Sequence, residues 1–353
     1  MQSDRSTGII ARWIFIGIGM LVIQVLLGGI TMLTGSGLSI TEWAPIMGTM
    51  PPMNERDWQA AFVEYQQIAQ YKYLNQHFTL GDFKFIFFWE WFHRLWARLI
   101  GVVFLIPFIY FLVKGYFKKW MILPLIILFL LGAMQGFVGW IMVKSGLNEN
   151  DLYVNHIRLA AHFISAMILI AYAVIFALKL TVQSTSYVAK PSLRSGAIAI
   201  IFVIIIQLMY GAFMAGLKAA SAAASWPDIN GMYLPPNLFA GDIFQALVHD
   251  KIVIHFIHRN LAYLLALFIF IYWWKANKIK GSSLFSRYNN AAALLVLLQI
   301  ILGISTVLTA NKIVAGVFGK FEWSALLHQL NGMLLLLNFV ALAYISGRAK
   351  QHI

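Results

Sequence analysis

Eight long apolar stretches alternate with polar connections along this 353-residue chain. Runs such as 14–32, 121–143, 197–214 and 326–344 each reach or approach the roughly 20 apolar residues that carry a helix across a bilayer core. The pattern predicts spans at about 9–33, 85–113, 120–143, 153–179, 195–217, 249–274, 288–310 and 322–346. The fold class expected is an all-α polytopic membrane protein with eight transmembrane helices. The first run is long and no A-x-A-like site follows it, so it is expected to stay as a span and not to be cleaved as a signal peptide.

The connections alternate too. On one side they are short and basic; on the other they are longer, above all 34–84 and 218–248. In the first long loop Asn54 is placed to cap a helix that has Asp57 in its first turn. Trp58, Ala61, Phe62, Tyr65 and Ile68 then make an apolar stripe at helical spacing. Such a helix lies on the membrane face, lids a pocket, or simply packs on the spans. The second long loop carries turn signals in Trp226-Pro227-Asp228-Ile229-Asn230-Gly231 and in Pro235-Pro236. Its serine/alanine run 219–225 points to no element.

Composition agrees with the pattern: 61% of residues are hydrophobic and only 11% charged. The net charge of +13 raises nucleic acid as a partner, but its distribution removes the need for one. Fourteen basic residues and one acidic residue, Asp4, fall on the side of the N-terminus; the opposite side holds eight basic and eleven acidic ones. This is the positive-inside bias, and it predicts that both termini are cytoplasmic. Cysteine is absent, which excludes disulfides, thiolate ligands and a cysteine nucleophile.

Five charged residues remain, all inside spans: Glu90, Arg94, Arg98, Arg158 and Arg259. Charge within a bilayer costs at least about 2.5 kcal/mol per residue on insertion scales, so it persists where it faces protein, a cofactor or water. The densest stretch is Trp89-Glu90-Trp91-Phe92-His93-Arg94-Leu95-Trp96-Ala97-Arg98. Glu90, His93, Arg94 and Ala97 share one helical face there.

These residues also recur. His93-Arg94 matches His258-Arg259, His162 matches His328, Gln135 and Gly139 match Gln299 and Gly303, and Gln24 and Gly28 match Gln207 and Gly211. The chain therefore reads as two tandem four-helix bundles in the same orientation, 1–180 and 181–353, a parallel internal repeat. The four repeated histidines each come two to three turns into a span running the same way. At about 1.5 Å per residue they share a depth some 10–15 Å below the long-loop side.

Imidazole pairs facing each other inside a bundle, His93 with His162 and His258 with His328, suit a haem. The alternative is four satisfied buried histidines. No helix offers an i, i+4 His pair, which disfavours zinc, and copper or non-haem iron wants ligands that each half lacks. The halves also differ: Glu90 and Arg158 stand beside the first pair where His255 and Ser324 stand beside the second. Glu90 either moves protons or holds a substrate group near a porphyrin, or it forms an internal ion pair with Arg94. Arg94 and Arg259 either reach haem propionates or serve as buried charge partners for the loops. His77, His156 and His249 read as interfacial.

Taken together, the chain resembles the haem A synthase family over about residues 10–346. The resemblance is carried by Gly28-Gly29-Ile30-Thr31 leading into Gly35-Ser36-Gly37-Leu38-Ser39-Ile40-Thr41-Glu42-Trp43, by Glu90-Trp91-Phe92-His93-Arg94, by Arg158-Leu159-Ala160-Ala161-His162, by His258-Arg259 and by His328-Gln329. The long first loop is similar to that of the mitochondrial and proteobacterial branch.

The resemblance implies an eight-span enzyme of the bacterial inner membrane that oxidises a methyl group of haem O to the formyl group of haem A, by successive hydroxylations and dehydration. It implies haem O as substrate between His93 and His162, with Glu90 as catalytic acid, and a haem b cofactor between His258 and His328. Arg94, Arg98, Arg158 and Arg259 become candidates for propionate or charge partners. Haem O synthase (a farnesyltransferase) and cytochrome oxidase assembly are the implied partners, and some relatives form homo-oligomers. Relatives with a cysteine pair in the first loop exist, and this chain departs from them. Two rivals stay open: a di-haem b-type electron-transfer cytochrome (a quinol or ferric reductase), disfavoured by two sites at one depth, and a non-enzymatic haem-handover protein.

Overall fold

The structure, a computed structural model, describes residues 2–42, 47–236, 238, 241–312 and 318–347. Trp43 of the first-loop motif and the basic and histidine residues of the tail, Arg348, Lys350 and His352, lie outside the described residues. Among the described residues, eight helices are long and apolar enough to cross a membrane. They are α1 (Gln2–Leu33), α4 (Leu80–Val113), α5 (Lys119–Lys144), α6 (His156–Thr181), α7 (Pro191–Gly216), α9 (Lys251–Ala276), α10 (Ser283–Thr309) and α11 (Lys320–Ile345). Three shorter helices occupy the long loops: α2 (Glu55–Tyr65), α3 (Ala69–Leu74) and α8 (Ile243–His249).

Caps explain where the spans depart from expectation. Helix α4 starts five residues before 85 because Thr79 and Asp82 form a capping box. Helix α9 starts at Lys251, and not at 249, because the Asp250 carboxylate accepts from the N–H groups of Ile252 and Val253, which splits off α8. Ser282 caps α10, which draws the fully buried Phe285 into the span.

Helices α1, α4, α5 and α6 pack as one group and α7, α9, α10 and α11 as another, joined along α6, α7, α11 and α1. Helix α11 is the most enclosed, with Met333, Leu335, Leu336, Phe339 and Leu342 all buried. Lipid provides little hydrophobic drive between helices, so close backbone approach and interhelical hydrogen bonds do much of the joining. Gln329 Nε2 donates to Val25 O at 3.3 Å and Asn338 Nδ2 to Tyr288 O at 3.0 Å. On α1, Trp96 Nε1 reaches Met20 O at 2.9 Å.

The first long loop folds back onto α4. Asn54 caps α2 as expected, accepting from Asp57 N at 2.9 Å. The stripe of Trp58, Phe62, Tyr65 and Ile68 packs on Phe83, Ile86 and Phe87, the plain packing alternative. In the second loop the run 219–225 contains a short 3-10 turn, Ala219–Ala223, whose two end residues are completely buried. Side chains larger than alanine would not fit there.

Candidate functional site

The histidines come together in pairs. The His258 and His328 rings lie with centroids 6.4 Å apart at 71°. His93 and His162 are electrostatic neighbours in the first group of helices. Two imidazoles binding one metal from opposite sides, each at about 2 Å, have centroids roughly 6 Å apart. The centroid separation of the second pair is close to that spacing.

Each histidine is clasped by a glutamine and a glycine, four residues apart, on a neighbouring span. Gln24 Nε2 donates to the His93 carbonyl at 3.3 Å and Gln135 Nε2 to the His162 carbonyl at 2.9 Å. Gln207 Nε2 donates to the His258 carbonyl at 3.0 Å and Gln299 Nε2 to the His328 carbonyl at 3.1 Å. The same amides lie 3.1 Å from His162 Nδ1 and His258 Nδ1.

Four residues on from each glutamine, Gly28, Gly139, Gly211 and Gly303 leave room for the ring. A Cβ at Gly139 would sit 2.8 Å from His162 Cε1, and one at Gly303 would sit 2.9 Å from His328 Cε1. At Gly28 and Gly211 the nearest ring atom is 3.4 Å away. A second tie holds two of the glutamines. Ser165 Oγ donates to Gln135 Oε1 at 2.6 Å and Asn331 Nδ2 to Gln299 Oε1 at 2.6 Å. Ser165 and Asn331 each stand three residues after their histidine.

Sequence reasoning used these glutamines and glycines only as repeat markers. The fourfold Gln-x-x-x-Gly spacing was the signal that would have assigned them a role.

One turn above His93 is the Glu90 carboxylate, 2% exposed. Its Oε2 accepts from Ser39 Oγ at 2.7 Å and from Ile40 N at 2.9 Å, and its Oε1 pairs with Arg94. The internal ion pair with Arg94 is therefore formed. Arg94 also donates to Ile40 O at 3.1 Å and Glu42 O at 3.3 Å. In the second group Arg259 does the same for the other loop, donating to Asp228 O at 2.6 Å and Ala223 O at 2.7 Å.

Both arginines thus donate to carbonyls of a long loop. His255, completely buried next to Arg259, takes the place of Glu90. Arg98 lies one turn beyond Arg94 as its electrostatic neighbour. Arg158 is exposed at the start of α6 and donates to Ile141 O at 3.1 Å. His156 and His249 meet edge to face, centroids 4.9 Å apart, where α6 meets the α8–α9 junction.

The comparisons with known proteins agree with one another. The cytochrome oxidase assembly protein family model matches residues 11–340. A haem A synthase of Rhodospirillum centenum is 38% identical over 87% of this chain and 83% of its own length. One of Flavobacterium johnsoniae is 36% identical over 95% and 96%, and one of Parvibaculum lavamentivorans is 41% identical over 78% and 80%.

Proposed function

This chain belongs to the cytochrome oxidase assembly protein family that includes haem A synthases, and on that premise we propose that it converts haem O to haem A, oxidising a porphyrin methyl group to a formyl group in the membrane. The observation that carries the reading is the pair of imidazoles at 6.4 Å, each clasped by a glutamine and a glycine, with a first pair built from the same parts.

In this reading the halves 1–180 and 181–353 are tandem units. His93 and His162 hold haem O as substrate, and His258 and His328 hold haem b. A bound haem b supplies one-electron transfer. The rest is done by the chain's own side chains. The glutamines tie down each histidine's backbone carbonyl, and at His162, His258 and His328 also touch the ring, while the glycines let the ring stand close to the neighbouring helix. The apolar helices keep bulk water away from the reacting edge.

Glu90 supports the assignment of the substrate to the first half, since the second half has His255 in its place. Its carboxylate accepts from three donors, so its contacts are those of an acceptor. Glu90 is the proposed catalytic acid, held by these donors one turn from His93. Arg158, exposed on the face above His162, is the arginine best placed for a propionate; Arg94 and Arg259 are occupied by the loops. The charge asymmetry supports a bacterial inner-membrane protein with cytoplasmic termini and both sites near the outer face. Haem O synthase would supply the substrate, and cytochrome oxidase assembly would take the product.

Extraction and mass analysis of the haems from protein co-expressed with a haem O source tests the reading. Haem B together with haem O, a hydroxylated haem or haem A is the expected result. Haem B alone in two equivalents would sink it in favour of an electron-transfer cytochrome.

A further inference from the structure

At the long-loop ends of the spans, between the two groups of helices, lies a cavity of about 970 Å³. Four cations line it: Lys144 at the end of α5, Arg158 in the first turn of α6, Lys218 just after α7 and Lys251 at the start of α9. The ion pairs among the described residues join other partners, Lys72 to Glu149, Lys84 to Glu55 and Arg94 to Glu90. The cavity's acid, Asp151, accepts instead from Asn148 Nδ2 at 2.9 Å. Aromatic faces steady two of the lysines, Trp140 under Lys144 at 5.2 Å and Tyr153 under Lys218 at 5.3 Å.

Lys218 is held unusually in two respects. Its backbone is left-handed, with φ 52°, a conformation that side chains adopt only where the surroundings impose it. Burial also pushes its ammonium below the usual lysine range. Among the described residues no carboxylate lies in salt-bridge range of this half-buried lysine, and Glu322 balances its charge only from farther away.

The cations fall into two sets, one over each histidine pair. Arg158 precedes His162 by four residues on α6, which places it one turn, about 6 Å, above. Lys144 follows Gly139 by five on α5. Lys251 precedes His258 by seven on α9, two turns or about 10 Å, and Lys218 follows Gly211 by seven. Apart from Arg98, the side chains that fill the helix groups away from the long loops are largely apolar. Trp13, Phe111, Met121 and Leu125 fill the first group, and Ile269 and Phe339 sit in the core of the second. Toward the long-loop ends, a flat ligand gripped by either pair, with carboxylates on one edge, would meet the cavity's four cations, while Arg94 and Arg259 already donate to loop carbonyls.

We infer that this cavity is a shared carboxylate site for the propionate edges of both tetrapyrroles, Lys144 and Arg158 serving the first histidine pair and Lys218 and Lys251 the second. The inference rests on the haem-binding reading above. It adds that the polar edges of substrate and cofactor meet in one chamber lined from both groups of helices, so the chamber's charge couples the two sites.

The test is an absorption titration of the full-length protein in nanodiscs of zwitterionic lipid, with haem O and with its dimethyl ester, which differs only at the carboxylates. Haem O is expected to bind at least tenfold more tightly than the ester. K144Q/R158Q should remove most of that difference. K218Q/K251Q should lower the haem B content and shift the reduction potential of what remains. Equal affinities for haem O and ester, with both bound through the histidines, would overturn the carboxylate site and leave the haem reading intact. Equal affinities together with an anionic phospholipid retained in native mass spectra, and lost in the four-charge variant, would reassign the cavity to a lipid headgroup. Failure of either porphyrin to bind would overturn the haem reading itself, and this inference with it.

Discussion

The two histidine pairs are built from the same parts and differ one helical turn above. Each imidazole has a glutamine amide on its histidine's carbonyl and a glycine against the ring, and one histidine of each pair, His93 or His258, is followed by an arginine clamping a long loop by its carbonyls. In the first half a carboxylate, Glu90, joins the clamp and ties loop, arginine and histidine helix together. In the second, the imidazole of His255 fills that place and the loop is held through carbonyl groups. On the roles proposed above, the same surroundings of a histidine pair can be kept while one position, three residues before a histidine, differs between the two groups of helices.

Breaking the cage should have the largest effect and should separate the halves. His258→Ala or His328→Ala is expected to abolish bound haem B, as read by pyridine haemochrome analysis. His93→Ala or His162→Ala should leave haem B in place and stop conversion of haem O. Loss of haem B from the first-half variants would contradict the division of roles.

The clamps sharpen the comparison next. Arg94→Gln leaves Glu90 buried without its partner, a change that costs about 3–5 kcal/mol in buried pairs. Arg259→Gln leaves only carbonyl groups short of a donor, about 1–3 kcal/mol. Proteolysis of loop 34–84 should therefore speed up more in R94Q than that of loop 218–248 in R259Q. Equal rates would mean that Glu90 adds nothing to the first clamp.

Much of this was legible beforehand. Apolar runs of span length located eight helices, since a bilayer leaves a backbone few other solutions. Charges inside those runs marked His93, Arg94, Arg158 and Arg259 because burial of charge demands a reason. Contacts across the fold were not legible. Nothing local to Arg259 says that its partners are the carbonyls of Ala223 and Asp228, and Glu90's bond to Ile40 N joins residues fifty apart in the chain. Helix starts at Leu80 and Ser283 were missed because capping by Thr79 and Ser282 outweighed the fading of the apolar pattern.

A smaller effect comes from the glycines. Gly139→Ala and Gly303→Ala put a methyl group 2.8–2.9 Å from a histidine carbon, so ring or helix must shift, at a typical overpacking cost of about 1–3 kcal/mol. Gly28→Ala and Gly211→Ala meet the ring at 3.4 Å and should be nearly silent. Soret band position and thermal stability should show both changes in the first pair of variants and neither in the second. A uniform response would mean that the four clasps are equally tight.

The smallest expected effect is confined to the second loop. The Asp228 carboxyl is held below the usual carboxylate range by the Ser225 hydroxyl, 2.6 Å away, and by the Gly231 N–H at 2.8 Å. A carboxyl with a lowered folded pKa contributes its stability above the unfolded value, near 3.9, and loses it as pH falls through the folded value. The 225–231 turn, whose Asp228 carbonyl also receives Arg259, should therefore stay closed at pH 5 and open only below about pH 4. Hydrogen exchange at Gly231, followed from pH 6 to pH 3, reads this directly. In Asp228→Asn the step should vanish, because an amide does not titrate there. Opening already at pH 5, or an unchanged step in the asparagine variant, would place the control of that loop on another group.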